Sequence, residues 1–356
     1  MAAVTARPRV FIAQPIADSA LSRLREIATV KMNPDASKII GKAKMIAGVR
    51  KCDILVSLLH DKVDRAVLAA NPKLRAVCSM AITPDNIDVA AATKRGIPVT
   101  VVPPIVAEAT ADMHFALLLA VARRLVEGEK MVRAGKFPGS QSNHLAGAYV
   151  YGKTIGLIGA GRIGQATARR ARGFGMKILY WAPRRKPEAE QEIGMEYVAL
   201  DRLLMEADFV SLHPALSAET WHMISDAAFA KMKPSAFIIN TARGPVIDEK
   251  ALVRALKRKQ IAGAGLDVFE HEPKLPPALV AMKNVVLTPH LGSAVAEVRA
   301  MMANFVVDNI EVLLTGRTPP NCVNPEVIGL PLMLSSDTDS VCDQVTGQLL
   351  GEGRGS

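Results

Sequence analysis

Residues 153–170 read KTIGLIGAGRIGQATARR, and this stretch decides the fold. The apolar run 155–158 predicts a buried parallel strand, which the turn Gly159-x-Gly161-x-x-Gly164 joins to a helical pattern. A second apolar run, 177–181, predicts the next strand. Strand, glycine turn, helix and strand within about thirty residues form the context in which this glycine spacing binds a dinucleotide.

The three glycines of the turn have separate roles. Gly159 permits the tight turn, Gly161 lets the backbone approach a pyrophosphate, and Gly164 lets the helix pack close to the strand. The helix N-terminus adds unpaired N–H groups and the positive end of the helix dipole. We therefore predict cofactor contacts from Gly159, Gly161, Arg162, Ile163 and Gly164. The alternative is an ordinary tight turn between a strand and a helix.

The composition narrows the class of protein. A chain of 356 residues is long enough for two domains, and 49% hydrophobic with 22% charged residues is typical of a globular protein. The formal net charge of +10 raises the possibility of polyanionic partners. However, the basic residues are spread along the chain and aromatic residues make up only 4%, which argues against nucleic acid and favours small anionic ligands.

The cysteines and the apolar segments predict a cytoplasmic protein without a metal site. The four cysteines show no CxxC spacing and no histidines at ligand spacing, so we expect reduced thiols. No secretory signal is visible at the N-terminus, and the most apolar helical run, 115–122, is too short to span a bilayer.

Strands and helices alternate along most of the chain. Residues 9–102 predict a first parallel α/β unit that ends near Pro103-Pro104, and residues 107–134 predict one long helix. Further strand–helix units follow the glycine turn, and residues 331–356 predict a disordered tail. The segment 147–154 matches the P-loop pattern, but it precedes a strand, whereas a P-loop opens a helix, so we expect no phosphate site there.

Three polar residues follow predicted strands beyond the glycine turn. They are Arg243, Glu272 and His290, and ligands in such sheets bind at the carboxyl ends of strands. This set suggests hydride transfer to a 2-oxo acid. Arg243 would bind the carboxylate and polarise the carbonyl, His290 would give the proton, and Glu272 would orient the imidazole and favour its protonated form.

Each of these residues also has a structural alternative. An arginine after a strand is often a surface ion-pair partner, and an isolated histidine is usually structural. The remaining histidines show no partner pattern, and we assign them no function: His60, His114, His144, His213, His222 and His271.

Several motifs together resemble the D-isomer-specific 2-hydroxyacid dehydrogenase family. They are DNID at 85–88, the glycine turn, NTARG at 240–244, GLDVFExEP at 265–273 and PHxGSA at 289–294. The likeness runs from Arg9 to Asn324 in order and spacing. It implies that Arg243, Glu272 and His290 are the catalytic residues.

The resemblance also implies an α/β fold with a discontinuous domain. A Rossmann nucleotide-binding domain, 105–289, would be inserted in a flavodoxin-like parallel α/β substrate domain, 1–104 plus 290–330. The nucleotide domain would carry a homodimer contact. Cofactor contacts carried over from the family are Thr110, Thr241, Ala242 and Asp267.

Within the family, residues 53–61 and 78–80 resemble the glyoxylate/hydroxypyruvate reductases. In these enzymes a loop after the third strand binds the substrate carboxylate through backbone N–H groups. Here that loop is Ala81-Ile82-Thr83, where Gly-x-Gly is common, so the bulk of its side chains bears on substrate size. The implied substrate contacts are Leu59, Ala81, Ile82, Thr83, Arg243, His290 and Ser293.

One position predicts the choice of cofactor. In this family the carboxylate that selects NAD lies eighteen residues after the last glycine of the turn, and here 164 + 18 = 182 is an alanine. With no carboxylate at Ala182 and with Arg184 and Arg185 just beyond, we expect NADP(H) to be preferred, with NAD(H) possible. The alternative is that these cations only decorate a surface loop.

Other functions remain open on the same scaffold. A dinucleotide-sensing corepressor, as in the C-terminal-binding proteins, has the same three residues, and so do phosphite dehydrogenases. A dehydrogenase for a bulkier 2-hydroxy acid is a further alternative. Formate dehydrogenases of the family have glutamine in place of the glutamate, so Glu272 argues against that activity.

Overall fold

The computed structural model describes residues 7–328, so the predicted tail 331–356 lies outside the described part. The chain divides into two compact units. One contains the described residues up to Ile105 together with those from Ala296 onward, and the other is Val106–Val295. The boundaries predicted from the sequence lie at 104/105 and 289/290. Which unit binds nucleotide and which binds substrate stays a prediction.

Strands and helices alternate through both units. The strands are β1 Arg9–Ile12, β2 Thr29–Met32, β3 Ile54–Ser57, β4 Ala76–Ser79, β5 Val99–Thr100, β6 Thr154–Ile158, β7 Lys177–Trp181, β8 Met195–Tyr197, β9 Phe209–Leu212, β10 Phe237–Asn240, β11 Gly263–Leu266 and β12 Val285–Leu287. The helices are α1 Asp18–Ile27, α2 Lys42–Val49, α3 Arg65–Ala69, α4 Val89–Lys94, α5 Ala107–Ala122, α6 Leu125–Arg133, α7 Arg162–Gly173, α8 Pro187–Ile193, α9 Leu200–Glu206, α10 Asp226–Phe229, α11 Glu249–Lys257, α12 Pro277–Val280 and α13 Ala296–Leu314. No helix within residues 7–328 combines the length and the apolar character that crossing a membrane requires.

The first unit is built on a five-stranded parallel sheet in the order β2-β1-β3-β4-β5. This is the flavodoxin-like order. Strands β3 and β4 are buried along their whole length, as expected for parallel strands covered by helices on both faces. Helix α13 belongs to this unit although it comes last in the chain, and Arg23 of α1 donates to Asp308 of α13 at 2.8 Å.

The second unit has a seven-stranded parallel sheet in the order β12-β11-β10-β9-β6-β7-β8. The order reverses at β6, which lies between β9 and β7, so the glycine turn after β6 sits at the switch point of a Rossmann sheet. Two apolar cores cover the two faces of this sheet. The predicted fold, a Rossmann unit inserted in the sequence of a flavodoxin-like unit, is confirmed.

The long helix predicted over 107–134 is in fact two helices. Helix α5 ends at Ala122 and α6 begins at Leu125, with Arg124 in the left-handed region at φ 52°. The carbonyl of Ala122 accepts a hydrogen bond from the backbone N–H of Ala148 at 2.8 Å instead of continuing the helix. A residue distant in sequence therefore ends α5, and local periodicity cannot reveal it.

The sequence pattern does not predict two of the strands, β2 and β8. Strand β2 has alternating exposed and half-buried residues, and β8 has one buried residue out of three. Both lie at the edge of their sheets. An edge strand needs few apolar residues, so its sequence lacks the continuous apolar run that marks the central strands.

Two histidines lie inside the second unit. His114 of α5 has no exposed surface, and His213, which follows β9, is half-buried. Burial and the neighbouring imidazole of His213 hold the pKa of His114 well below its usual value, and burial lowers the pKa of His213 to about 3. Both side chains are therefore neutral in the folded protein near pH 7.

We expect acid to destabilise the fold through these histidines. The unfolded chain binds protons below an ordinary pKa of about 6.5, while the folded chain does not, so stability decreases as pH falls from about 6.5 toward 3. Each such histidine contributes a slope of up to about 1.4 kcal/mol per pH unit. Urea denaturation at pH 7.5, 6.5 and 5.5 should show this decrease.

The variant His114→Phe should have a shallower pH dependence than the wild type over this range. The same change at His144, whose side chain is exposed, is the control and should leave the slope as it is. Equal slopes for wild type and His114→Phe would contradict the assignment.

Candidate active site

The glycine turn has the geometry that the sequence predicts. Gly159 has φ 99°, in the region that favours glycine, and a Cβ on Gly164 would lie 2.3 Å from the carbonyl oxygen of Gly159. Neither position can hold a larger residue without a shift of backbone. Helix α7 starts at Arg162 immediately after this turn.

The turn also leaves room for a ligand. Apart from Gly161 and its two chain neighbours, no heavy atom of residues 7–328 lies within 4 Å of the position that a Cβ on Gly161 would take. The first turn of α7, with Arg162, Ile163 and Gly164, directs its backbone N–H groups to the same side as the glycine turn. The residues present therefore fit the pyrophosphate of a dinucleotide. By contrast, Gly152 and Lys153 of the P-loop-like segment lead into β6, as expected for a fortuitous match.

The predicted cofactor-selecting position lies directly after β7. Ala182 is only 5% exposed, and its carbonyl accepts a hydrogen bond from the hydroxyl of Tyr197 at 3.4 Å. Arg184 and Arg185 follow and are both exposed. The strand end thus carries no carboxylate at position 182 and two cations just beyond it.

Arg185 has a partner that the sequence analysis did not identify. Its Nε and Nη2 donate to the two carboxylate oxygens of Glu190 at 2.8 and 2.7 Å. The hydroxyl of Tyr180 donates to the same carboxylate at 2.6 Å. Hydrogen bonds from Arg185 and Tyr180 lower the pKa of Glu190 to about 2, so this carboxylate is charged. The pairing fixes the guanidinium beside the end of β7.

Two of the three predicted catalytic residues form a hydrogen-bonded pair. Nδ1 of His290 lies 3.0 Å from Oε2 of Glu272, and the two side chains are only 20% and 16% exposed. The other oxygen of Glu272 accepts from the backbone N–H of Phe269 at 2.9 Å. Because a carboxylate only accepts hydrogen bonds, Nδ1 of His290 carries a proton and donates a hydrogen bond to Oε2 of Glu272.

The loop that carries His290 is fixed by the carboxylate of Asp267. This buried side chain accepts from Thr288 Oγ1 at 2.6 Å and from the backbone N–H groups of Leu291 and Gly292 at 2.7 and 2.8 Å. The backbone N–H of His290 donates to the carbonyl of Asp267 at 2.9 Å. His290 is held at φ 57°, and these four bonds stabilise that conformation.

Thr110 and Asp267, two of the predicted cofactor contacts, meet at this same loop. Thr110 Oγ1 donates to the carbonyl of Gly292 at 3.2 Å. The structure thus gives both residues a role in holding the loop of His290 and Ser293.

Arg243 lies in a turn after β10 that Asn240 organises. The side-chain oxygen of Asn240 accepts from the backbone N–H of Ala242 at 2.9 Å, and its amide donates to the carbonyl of Arg243 at 3.0 Å. Arg243 Nη1 donates to the carbonyl of Ala242 at 2.8 Å. Strands β10, β11 and β12 are neighbours in the sheet. Arg243, Glu272 and His290 therefore all follow the carboxyl ends of adjacent parallel strands.

The remaining predicted substrate contacts belong to the first unit. Leu59 lies in a turn after β3, and residues 81–83 form the bend after β4. The backbone N–H of Ala81 donates to Ser79 Oγ at 3.3 Å, and Thr83 Oγ1 donates to Asp85 at 2.9 Å. The backbone N–H of Ala81, one of the donors expected to bind the substrate carboxylate, therefore makes a long hydrogen bond to the last residue of β4.

Three of the histidines to which the sequence assigns no function have close polar partners in the second unit. His114 and His213 both lie 2.7 Å from Ser211 Oγ, and His222 Nε2 lies 3.0 Å from Glu270 Oε1. A signal for His213 was present in the sequence. Ser211 and His213 are two residues apart along a strand, which places them on the same face.

The chain is similar to a family model and to a known enzyme. The family model described as D-isomer specific 2-hydroxyacid dehydrogenase, NAD binding domain, matches residues 115–292. A glyoxylate reductase of Thermococcus litoralis is 48% identical over 326 residues, which cover 90% of this chain and 98% of the relative.

Solved structures agree as well. The TT0316 protein of Thermus thermophilus is 41% identical, with a TM-score of 0.82 over 88% of this chain and 99% of its own. An NADPH-dependent glyoxylate/hydroxypyruvate reductase of Sinorhizobium meliloti, solved with NADP and malonate, is 32% identical, with a TM-score of 0.78 over 92% of this chain and 100% of its own. With the family model, they establish that this chain belongs to the D-isomer specific 2-hydroxyacid dehydrogenase family and is an NAD(P)-dependent oxidoreductase that reduces 2-oxo acids.

Proposed function

We propose that the chain is an NADPH-dependent reductase of small 2-oxo acids, converting glyoxylate to glycolate and hydroxypyruvate to D-glycerate. The observation that carries this proposal is the 3.0 Å contact between Glu272 and His290 on a loop beside the turn of Arg243. An acid held by a carboxylate, with a cation after a neighbouring strand, suits reduction of a carbonyl next to a carboxylate. The glyoxylate reductase of Thermococcus litoralis supports the choice of substrate.

Each residue of this set has a distinct role in the proposed reaction. The bound cofactor would supply the hydride from its nicotinamide. Arg243 would bind the substrate carboxylate with its planar set of donors and polarise the adjacent carbonyl. His290 would give a proton from Nε2 to the oxygen that gains charge, because its Nδ1 is already bound to Glu272.

Glu272 would act on the imidazole rather than on the substrate. Its contact with Nδ1 fixes which ring nitrogen faces the carboxylate and leaves Nε2 as the nitrogen that would give the proton. The bond from Phe269 N–H holds the second oxygen of the carboxylate, so the imidazole is oriented by a fixed group. In the first unit, the family resemblance supports Leu59 and the backbone of residues 81–83 as further substrate contacts.

For the cofactor, we propose Gly159, Gly161 and the first turn of α7 as the pyrophosphate site and Arg184 and Arg185 as contacts for a 2′-phosphate. Ala182 lacks the carboxylate that would bind ribose hydroxyls and repel the phosphate. The NADP-bound reductase of Sinorhizobium meliloti supports this choice. Glu190 offsets part of the charge of Arg185, so exposed Arg184 should carry much of the preference.

A homodimer through the nucleotide-binding unit has support from one surface. Helix α6 has no buried residue, and large apolar side chains on it and on the following loop are more than 60% exposed, namely Leu125, Val132, Phe137, Tyr149 and Tyr151. Large exposed apolar side chains along one segment are typical of a surface that a partner covers. Light scattering that gives the mass of one chain would contradict the dimer.

The substrate proposal predicts a ranking of 2-oxo acids. NADPH oxidation followed at 340 nm should be fastest with glyoxylate and hydroxypyruvate, and slower with pyruvate and phenylpyruvate. A preference for phenylpyruvate would indicate a dehydrogenase for bulkier substrates. No turnover of any 2-oxo acid, with dinucleotide still bound, would instead support the corepressor-like alternative.

The cofactor proposal predicts that wild-type enzyme has a higher kcat/KM with NADPH than with NADH. Ala182→Asp should reverse this order, because the new carboxylate would bind the ribose hydroxyls of NADH and repel a 2′-phosphate. Ala182→Asn, which has similar size without charge, is the matched control and should have a smaller effect. A wild-type preference for NADH would refute the proposal.

The mechanism predicts different losses for two variants. His290→Ala should lower kcat by about 10²-fold or more and retain NADPH binding, since the imidazole acts on the proton transfer. Arg243→Ala should lower kcat and raise KM for the 2-oxo acid, since the guanidinium both binds and polarises the substrate. Steady-state kinetics with NADPH titration by fluorescence would measure both. Wild-type turnover in either variant would refute its role.

A further inference from the structure

Four polar side chains, three of them buried, form a hydrogen-bonded polar chain in the second unit, behind the strand ends. Thr241 Oγ1 lies 3.1 Å from His114 Nδ1, His114 Nε2 lies 2.7 Å from Ser211 Oγ, and Ser211 Oγ lies 2.7 Å from His213 Nε2. His114 and Ser211 have no exposed surface, and Thr241 is 7% exposed. Buried polar groups linked in this way hold their surroundings in one arrangement.

The polar chain connects two turns that contribute to the proposed site. Leu212 of β9 pairs with Asn240 of β10, so His213 and Thr241 are the next residues along neighbouring strands. Thr241 belongs to the turn that carries Arg243. His213 lies against the glycine turn, since a Cβ on Gly159 would be 2.7 Å from the carbonyl carbon of His213. His114 on α5 connects both from behind the sheet.

The direction of the hydrogen bonds follows from counting protons. Ser211 has one hydroxyl proton but lies between two Nε2 atoms, so it donates to one imidazole and accepts from the other. If Ser211 donates to His114, then His114 donates to Thr241. Two groups are then left without partners among residues 7–328, the hydroxyl proton of Thr241 and Nδ1 of His213.

The opposite direction leaves only one group unsatisfied. Thr241 donates to His114 Nδ1, His114 donates from Nε2 to Ser211, and Ser211 donates to His213 Nε2. Within the described residues, only Nδ1 of His213 then has no partner. Because each unpaired buried polar group costs stability, this second direction is favoured.

We propose that His114 is a positioning residue that holds the turn of Arg243 through Thr241 and fixes the tautomer of His213 through Ser211. The inference rests on the proposed function, because Arg243 and the glycine turn are the parts of the site that it positions. In this arrangement His114 is protonated at Nε2 and His213 at Nδ1. Removing His114 should therefore affect substrate binding on one side and dinucleotide binding on the other.

Three substitutions at position 114 separate these two links. His114→Phe keeps the ring but removes both hydrogen bonds. His114→Asn places an amide near the position of Nδ1 and can keep the link to Thr241. His114→Gln places its amide near the position of Nε2 and can keep the link to Ser211. The matched control is His144→Phe, because His144 is exposed and does not belong to the polar chain.

We expect His114→Phe to lower kcat/KM for glyoxylate about tenfold or more, and to raise the dissociation constant for NADPH. His114→Asn should recover kcat/KM more than His114→Gln does, and His114→Gln should recover NADPH affinity more than His114→Asn does. His144→Phe should match the wild type. Thermal unfolding of each variant identifies any loss that follows from a smaller folded fraction.

A spectroscopic measurement tests the tautomers without turnover. In ¹⁵N spectra of the imidazoles, wild-type protein should show His114 protonated at Nε2 and His213 at Nδ1, and His114→Phe should change the His213 signal. The opposite tautomers in the wild type would overturn the proposal, even if a variant at position 114 does not fold. So would wild-type kcat/KM and NADPH affinity in folded His114→Phe.

The two proposals can fail separately. A wild-type protein that turns over no 2-oxo acid refutes the proposed function, while the tautomers and NADPH affinity still report on His114. A wild type that turns over glyoxylate, with variant losses that follow thermal stability alone, overturns the role of His114 and leaves the proposed function intact.

Discussion

The close approach of α7 to β6 is the constraint on which the second unit depends. A Cβ on Gly164 would come within 2.3 Å of the Gly159 carbonyl oxygen, so the helix reaches this position only where it has no side chain. The approach fixes the helix N-terminus at the point where the strand order reverses. A phosphate group there meets backbone N–H groups that are already oriented, and little reorganisation is needed on binding.

After strands β11 and β12, side-chain carboxylates fix the loops, whereas at the glycine turn the backbone alone does so. Asp267 accepts three hydrogen bonds from the loop of His290, and Glu272 holds the imidazole from within the loop after β11. Backbone N–H groups donate to both carboxylates, from Phe269 to Glu272 and from Leu291 and Gly292 to Asp267. His290, the proposed proton donor, is thereby held in place by hydrogen bonds within the second unit.

Much of this architecture follows from local sequence, and the reasons are physical. The glycine spacing requires a particular backbone path, and parallel strands bring the residues that follow them to the same side of the sheet, so the sequence predicts that Arg243, Glu272 and His290 follow the carboxyl ends of strands. The sequence does not predict the edge strands β2 and β8, because few of their residues are buried and they lack a continuous apolar run. The end of α5 depends on Ala148, and the pairing of Arg185 depends on Glu190 one helix later, which periodicity does not encode. His114 and Ser211 are nearly a hundred residues apart, so their contact appears only in the folded chain.

The polar chain behind the sheet carries no net charge, yet it has a direction. From Thr241 to His213 each donor in the favoured arrangement points the same way, so each bond polarises the next and the chain behaves as a short dipole. Its positive end lies at Nδ1 of His213, a residue whose backbone lies beside the glycine turn. Such a chain can orient two neighbouring turns without burying a formal charge, which would be far more costly to desolvate.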